Sequence, residues 1–200
     1  MILIADSAIQ IENETVKELG IGVVEYPLFV NGEEYPVSMS MTRDEKDKLR
    51  DILRDKNNVV TTSGLKEEDL LNIFKANAAE KILFMHQSSR ASTATASVLK
   101  KVKDEIGSLD VEFFDTDHLT GAHSVQVLAA ARAIKAGLSF EELMKLLDRN
   151  RRRTTHLGSV YDLFYLHRTG RIGLAKAFFG TAMKIIPLLG STDEPGVLKS

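Results

Sequence analysis

Six hydroxyl residues fall within Ser88–Ser97, namely Ser88, Ser89, Ser92, Thr93, Thr95 and Ser97, directly after the strand-like run Lys81–His86. Hydroxyls at the start of a helix suit an anionic head group. The first-turn N–H groups are unpaired, the helix dipole favours negative charge, and short side chains allow close approach. Helix capping accounts for one or two such residues, not six. A second cluster, Thr61-Thr62-Ser63-Gly64, follows Val59-Val60 and precedes another helical pattern. Two such turns at the strand ends of one sheet can converge on a single oxyanion. Alone, the second cluster is the weaker signal. Ser63 or Gly64 is a natural N-cap there, and Glu67, Glu68 and Asp69 already bring negative charge to that first turn.

Other residues offer chemistry with simpler explanations beside it. Asp6-Ser7, at the end of the first apolar run, reads as a catalytic carboxylate or, more simply, as the cap of a helix starting near Ala8. Asp115-Thr-Asp-His118 has the residue types of a metal site, but His86, His123, His156 and His167 offer no ligand spacing, and no metal is expected. Arg171, in the turn Gly170-Arg-Ile172, is either a surface arginine or a guanidinium that pairs with a carboxylate or phosphate facing it. No nucleophile elbow, Walker loop or dinucleotide-binding glycine motif occurs, so hydrolase and nucleotide-binding readings lack their usual parts.

The elements that must position these residues alternate. Strand candidates are Ile2–Ala5, Gly22–Val30, Val59–Thr61, Lys81–His86 and Val111–Phe114. Helical spacing links Leu70, Ile73 and Phe74, and again Ala94, Val98, Val102 and Ile106. The Ala-rich Gly121–Ala136 ends at the C-cap candidate Gly137, and Ser139-Phe-Glu-Glu142 opens a capped helix running to about Asn150. The rhythm predicts an α/β fold, a mostly parallel sheet flanked by helices, with ligand at the strands' carboxyl ends. Both hydroxyl clusters lie at such ends. Arg151-Arg-Arg153 reads as a solvated helix end.

The 200 residues carry a net charge of −2, 44% hydrophobic and 27% charged residues, which suits a globular chain and gives no support for broad nucleic-acid affinity. Cysteine is absent, so disulfide and thiolate chemistry are excluded. Met1–Asp6 reads as a buried strand, since a signal peptide needs a basic start and a longer apolar segment, and no stretch is long enough to span a membrane. A cytoplasmic protein is expected. The character changes after Arg153. A β-prone Thr154–Leu157, helical Val160–His167 and Leu174–Thr181, and a strand-like Met183–Leu189 predict a second domain over 154–200, set against a first domain over 1–153.

Together these segments resemble the DegV family, whose members include the fatty-acid-binding subunits of bacterial fatty acid kinase. Ile4-Ala-Asp-Ser7 looks like the family's opening I-x-T-D-S-T, and Leu19–Leu28 like its G-I-x-V-V-P-L. Thr62-Ser63 falls on T-S-Q-P-S, Ser88–Thr95 on S-S-x-L-S-G-T-Y, and Phe114–Thr116 on I-D-S. Leu163–Ile172 falls on L-x-Y-L-x-x-G-G-R-I, and Ile185–Leu188 on I-K-P-I. Thr93 stands where the pattern has glycine, and Thr169 replaces the first glycine of G-G-R-I.

The resemblance implies a long-chain fatty acid buried between two α/β domains, with no cofactor or metal. Its carboxylate would be held by Thr62, Ser63, Ser92 and Thr93, with Arg171 as a neighbour. Phe84, Phe164, Phe178, Met183 and Ile185 are the acyl-chain candidates. The subunit would do no chemistry itself and would present the acid to a separate fatty acid kinase. Family members continue with more of the second domain, so this one is expected to be incomplete or shortened. The alternative is an α/β enzyme for a small anionic substrate, with Asp6 or Asp115 as acid/base.

Overall fold

The computed structural model describes residues 1–159 together with Leu163, Ile186 and Leu188–Gly190. Its core is a four-stranded parallel sheet, built from β1 (Ile2–Asp6), β2 (Ile21–Val24), β6 (Ile82–His86) and β7 (Val111–Asp115) in the order β2-β1-β6-β7. Side chains alternate between its faces. Leu3, Ala5, Leu83 and Met85 pack with α1 (Asn13–Glu18), α5 (Thr120–Lys135) and α6 (Phe140–Arg153). Ile4, Ile82 and Phe84 pack with α3 (Glu67–Ala76) and α4 (Thr93–Glu105). Three layers result, as the βαβ rhythm predicts. On the α3/α4 face Phe74, Phe84 and Phe113 meet edge to face at 5.5 to 5.9 Å between ring centres. Burying each such ring contributes about 1.5–3 kcal/mol.

A second, antiparallel sheet of three strands differs from the expectation. It consists of β3 (Leu28–Val30), β4 (Glu33–Tyr35) and β5 (Val60–Thr62), ordered β4-β3-β5, with α2 (Arg43–Arg54) between β4 and β5 in the chain. Gly22–Val30 is therefore two strands in two sheets, not one. Pro27 has no N–H for a ladder and restricts Tyr26 before it, so the chain leaves the parallel sheet there. Val59–Thr61 likewise corresponds to a strand of the small sheet, paired with β3.

Helix starts also shift. No helix begins near Ala8; α1 starts at Asn13. The N-cap of α3 is Lys66, not Ser63 or Gly64. The box at Ser139 forms as read, with Ser139 and Glu142 capping reciprocally, and α2 has the same device in Thr42 and Glu45. At the other end of α6, Arg152 and Arg153 are exposed, but Arg151 is not a solvated end. Its guanidinium lies 5.0 Å from the Phe114 ring, donates to the Asp115 carbonyl at 3.1 Å and pairs with Asp148 at 2.9 Å. Beyond α6, β8 (Leu157–Ser159) pairs antiparallel with β9 (Leu188–Gly190). The helices read over Val160–His167 and Leu174–Thr181 lie outside the described residues, Leu163 apart.

Candidate functional site

The sheet order reverses at β1, so the crevice between the carboxyl ends of β1 and β6 is the position where open α/β sheets hold ligands. Asp6 ends β1 there and is wholly buried. Its Oδ1 faces the Ala8 N–H at 3.1 Å and His123 Nε2 at 3.2 Å. Its Oδ2 accepts from the Gln87 N–H at 2.8 Å and the Tyr26 hydroxyl at 3.0 Å. Burial alone would raise the carboxyl pKa. The His123 hydrogen bond and charge, with the Gln87 and Ala8 amides, outweigh it and hold the group below its ordinary value. Burial and the Asp6 charge push Tyr26 strongly upward, so it keeps its proton.

From this anchor two chains of polar contacts run outward. His123 Nδ1 lies 3.0 Å from Thr116 Oγ1, which donates to the His86 carbonyl at 3.0 Å, tying α5 to the ends of β6 and β7. Toward solvent, Thr95 Oγ1 donates to the Tyr26 oxygen at 3.1 Å and lies 2.8 Å from Ser92 Oγ. Ser7 Oγ accepts the Tyr26 N–H at 2.9 Å, fixing the backbone where the chain changes sheet.

The loop from β6 into α4 sorts the six hydroxyls. Ser88 is buried, and its carbonyl closes a turn with Ala91 and Ser92. Ser89 gives both its N–H and its hydroxyl to Asp115 Oδ2, while Asp115 Oδ1 holds the Asp117 N–H at 2.8 Å. These two serines build the loop. Ser92 is the N-cap of α4 but makes no side-chain capping bond, and the first turn contains no acidic residue. That helix end is electrostatically open, whereas α3 already has Glu67, Glu68 and Asp69 in its first turn. Thr93 and Ala94 are exposed beside Ser92.

The second hydroxyl turn lies against the first, although it comes from the other sheet. Gly64 is buried, and a Cβ placed on it would stand 2.8 Å from the Ala94 carbonyl carbon and 3.1 Å from the Thr95 nitrogen. Only a residue without a side chain allows this approach. The exposed Thr62 and Ser63 immediately precede it. Among the candidate contacts for an acyl chain, Phe84 is fully buried between Phe74 and Phe113 as part of the core. Arg171, Phe164, Phe178, Met183 and Ile185 lie outside the described residues.

A family model described as uncharacterised protein, DegV family, matches residues 1–200. The chain belongs to the DegV family. Among curated relatives, a DegV domain-containing protein of Halalkalibacterium halodurans is 27% identical over 195 residues, covering 96% of this chain and 67% of its own length. A DegV family protein from Thermus thermophilus, whose solved structure is described as one of fatty acid binding, is 28% identical with a TM-score of 0.77. It covers 100% of this chain, which spans 69% of it. A DegV lipid-binding protein from Thermotoga maritima is 23% identical, with a TM-score of 0.81 over 99% of this chain and 68% of its own, and shows the fold. The chain thus spans about two thirds of the length of these DegV proteins.

The residue order gave no role to Tyr26, named Thr95 and Thr116 only within longer motifs, and weighed His123 only as a metal ligand, yet these four organise the network around Asp6. One signal was present. His123, Gln126, Val127 and Ala130 share one helical face, and all four are buried, so two polar residues interrupt an otherwise apolar stripe. Gln126 Nε2 donates to the Thr116 carbonyl at 3.0 Å, so both polar residues serve the β7 end. Among the described residues no cluster of metal-ligating side chains occurs, and no helix is long and apolar enough to cross a membrane.

Proposed function

We propose that this chain binds a long-chain fatty acid, with the carboxyl head at the paired turns Thr62-Ser63 and Ser92-Thr93 and Arg171 beside it. The single observation that carries this reading is the seating of Gly64 on Ala94–Thr95, which brings the turn that follows Thr62 and Ser63 against the uncapped, acid-free first turn of α4. The Thermus relative, described as fatty acid binding, gives the ligand class. Each buried CH₂ is worth about 0.8 kcal/mol, so the acyl chain supplies affinity and the polar turns orient the head. Phe164, Phe178, Met183 and Ile185 are its proposed contacts. In this reading the chain does no chemistry, needs no cofactor, and presents the acid in the cytoplasm to a separate fatty acid kinase.

Acid/base roles for Asp6 or Asp115 gain no support from the geometry. Asp6 meets four protein donors and is inaccessible, and Asp115 holds Ser89 and Asp117. Extraction of the purified protein followed by mass spectrometry tests the reading. A co-purifying acyl ligand, or uptake of added palmitate or oleate, is expected; neither occurring would refute it. Ser92→Ala with Thr62→Ala should weaken uptake about tenfold or more while the protein stays folded.

A further inference from the structure

A hydroxyl has one proton, and its direction can be traced from a fixed acceptor. Asp6 is that acceptor: four donors surround it, and its pKa is held low. Tyr26 therefore donates to Asp6 Oδ2 and can only accept from Thr95, 3.1 Å away. Thr95 has then given its proton to Tyr26. In the 2.8 Å contact between Ser92 and Thr95, the proton must come from Ser92. Three hydroxyls in series thus point inward to one buried anion, and Ser92 faces outward with lone pairs only. Ser63 is committed as well, donating to the Gly64 carbonyl at 3.0 Å.

We propose that this site holds its ligand's head group as the neutral carboxylic acid, its O–H donating to Ser92 Oγ. The proposal rests on the fatty-acid reading above. A carboxylate carries only lone pairs, so against Ser92 it would set acceptor on acceptor or pull the serine proton away from Thr95. A neutral acid offers a donor and an acceptor. Its O–H meets Ser92 with the relay intact, and its carbonyl takes protons from Thr62, Thr93 or the first-turn amides of α4. Asp6 closes the relay, with His123 behind it; Asp115 is held by Ser89; Arg90 is exposed on the loop; the first turn of α4 has no acidic residue. On the side of the second turn, α3 brings Glu67, Glu68 and Asp69 in its first turn, with Lys66 before them paired to Glu34, and beyond Asp115 lies the Asp117–Arg151 pair. The role proposed above for Arg171 would favour the ionised form instead, so the two proposals pull the head group's protonation in opposite directions.

Carbon-13 NMR of the protein loaded with carboxyl-labelled palmitate reads the outcome between about pH 6 and pH 9, where a free carboxyl group is ionised. The bound carboxyl carbon is expected to keep the upfield position of a neutral acid. Bound palmitate at the ionised position would overturn the inference alone; no uptake of palmitate at all would overturn the fatty-acid reading and this inference with it. Ligand series on the same protein give a second readout. Hexadecan-1-ol keeps a donor and should compete with palmitate, while methyl palmitate has none and should bind about tenfold more weakly than the alcohol; equal binding of ester and alcohol would count against a donor-seeking site. Thr95→Val releases the Ser92 proton to point outward, so the labelled carbon should move to the ionised position. A folded Thr95→Val protein that still holds the neutral acid would remove the relay as the cause.

Discussion

The two sheets bring hydroxyls to the same place by opposite means. At the end of the parallel sheet the polar groups are enclosed: Asp6, Thr95, Thr116 and His123 are each wholly buried, with Asp6, Thr116 and His123 bonded to one another or to backbone and Thr95 to Tyr26 and Ser92. In the antiparallel sheet Thr61, Thr62 and Ser63 are exposed, and α2 beside it in the chain buries no residue. One region fixes geometry through a network in which each group determines its neighbour. The other presents side chains to solvent and meets the parallel sheet at Gly64, seated on Ala94–Thr95, and at Leu65, buried in the core beside it. Precision in this region is therefore a property of the parallel sheet, passed to the small sheet through that turn.

Removing the anchor of the enclosed region should have the largest effect. Asp6→Ala leaves Tyr26, His123 and two amides facing an empty space, and each buried donor left without its acceptor costs about 1–3 kcal/mol. Urea unfolding monitored by circular dichroism measures it; a loss no larger than that of an exposed substitution in the small sheet would erase the contrast. Gly64→Ala attacks the contact between the regions. Its Cβ meets backbone at 2.8 Å, so the turn must move, costing about 1–3 kcal/mol and weakening palmitate uptake through Thr62 and Ser63. Normal uptake by that variant would show that the small sheet is positioned some other way.

Acid should expose the same asymmetry more gently. The depressed Asp6 pKa means that the unfolded chain takes up the proton first as pH falls. The stability that Asp6 provides is fully present above the ordinary aspartate pKa and lost as pH drops through the lower, folded value. Urea midpoints followed downward from neutral pH should therefore fall less steeply for Asp6→Asn than for the unaltered chain. The smallest effect belongs to the exposed region. Thr42→Ala deletes the N-cap of α2 at a cost of about 1 kcal/mol, with palmitate uptake unchanged.

What could be read from residue order divides along the same line. The parallel strands announce themselves as apolar runs, since both their faces are covered, and the hydroxyls after β6 stand out because no such run needs them. Ser139–Glu142 was legible because a capping box is local. The small sheet was not, because Gly22–Val30 is continuously β-prone and only Pro27 marks the change of sheet. His123 and Tyr26 escaped for a different reason. Their value lies in meeting Asp6 from 117 and 20 residues away, and no local pattern encodes that meeting. The approach of Gly64 to Ala94 is equally non-local.

Those separations also bear on how the chain folds. The donors to Asp6 come from Ala8 nearby, but also from Tyr26, Gln87 and His123, at separations of 20, 81 and 117 residues. Closing loops of that length carries an entropic cost before any contact rewards it. The carboxylate obtains its full set of partners only after β2, β6 and α5 have all docked on β1. Substitutions at Asp6 should therefore speed unfolding while leaving the refolding rate nearly unchanged, the pattern of an interaction made on the native side of the barrier. The residue that orders the proposed head-group site acts, in kinetic terms, as a latch that closes after the sheet is built.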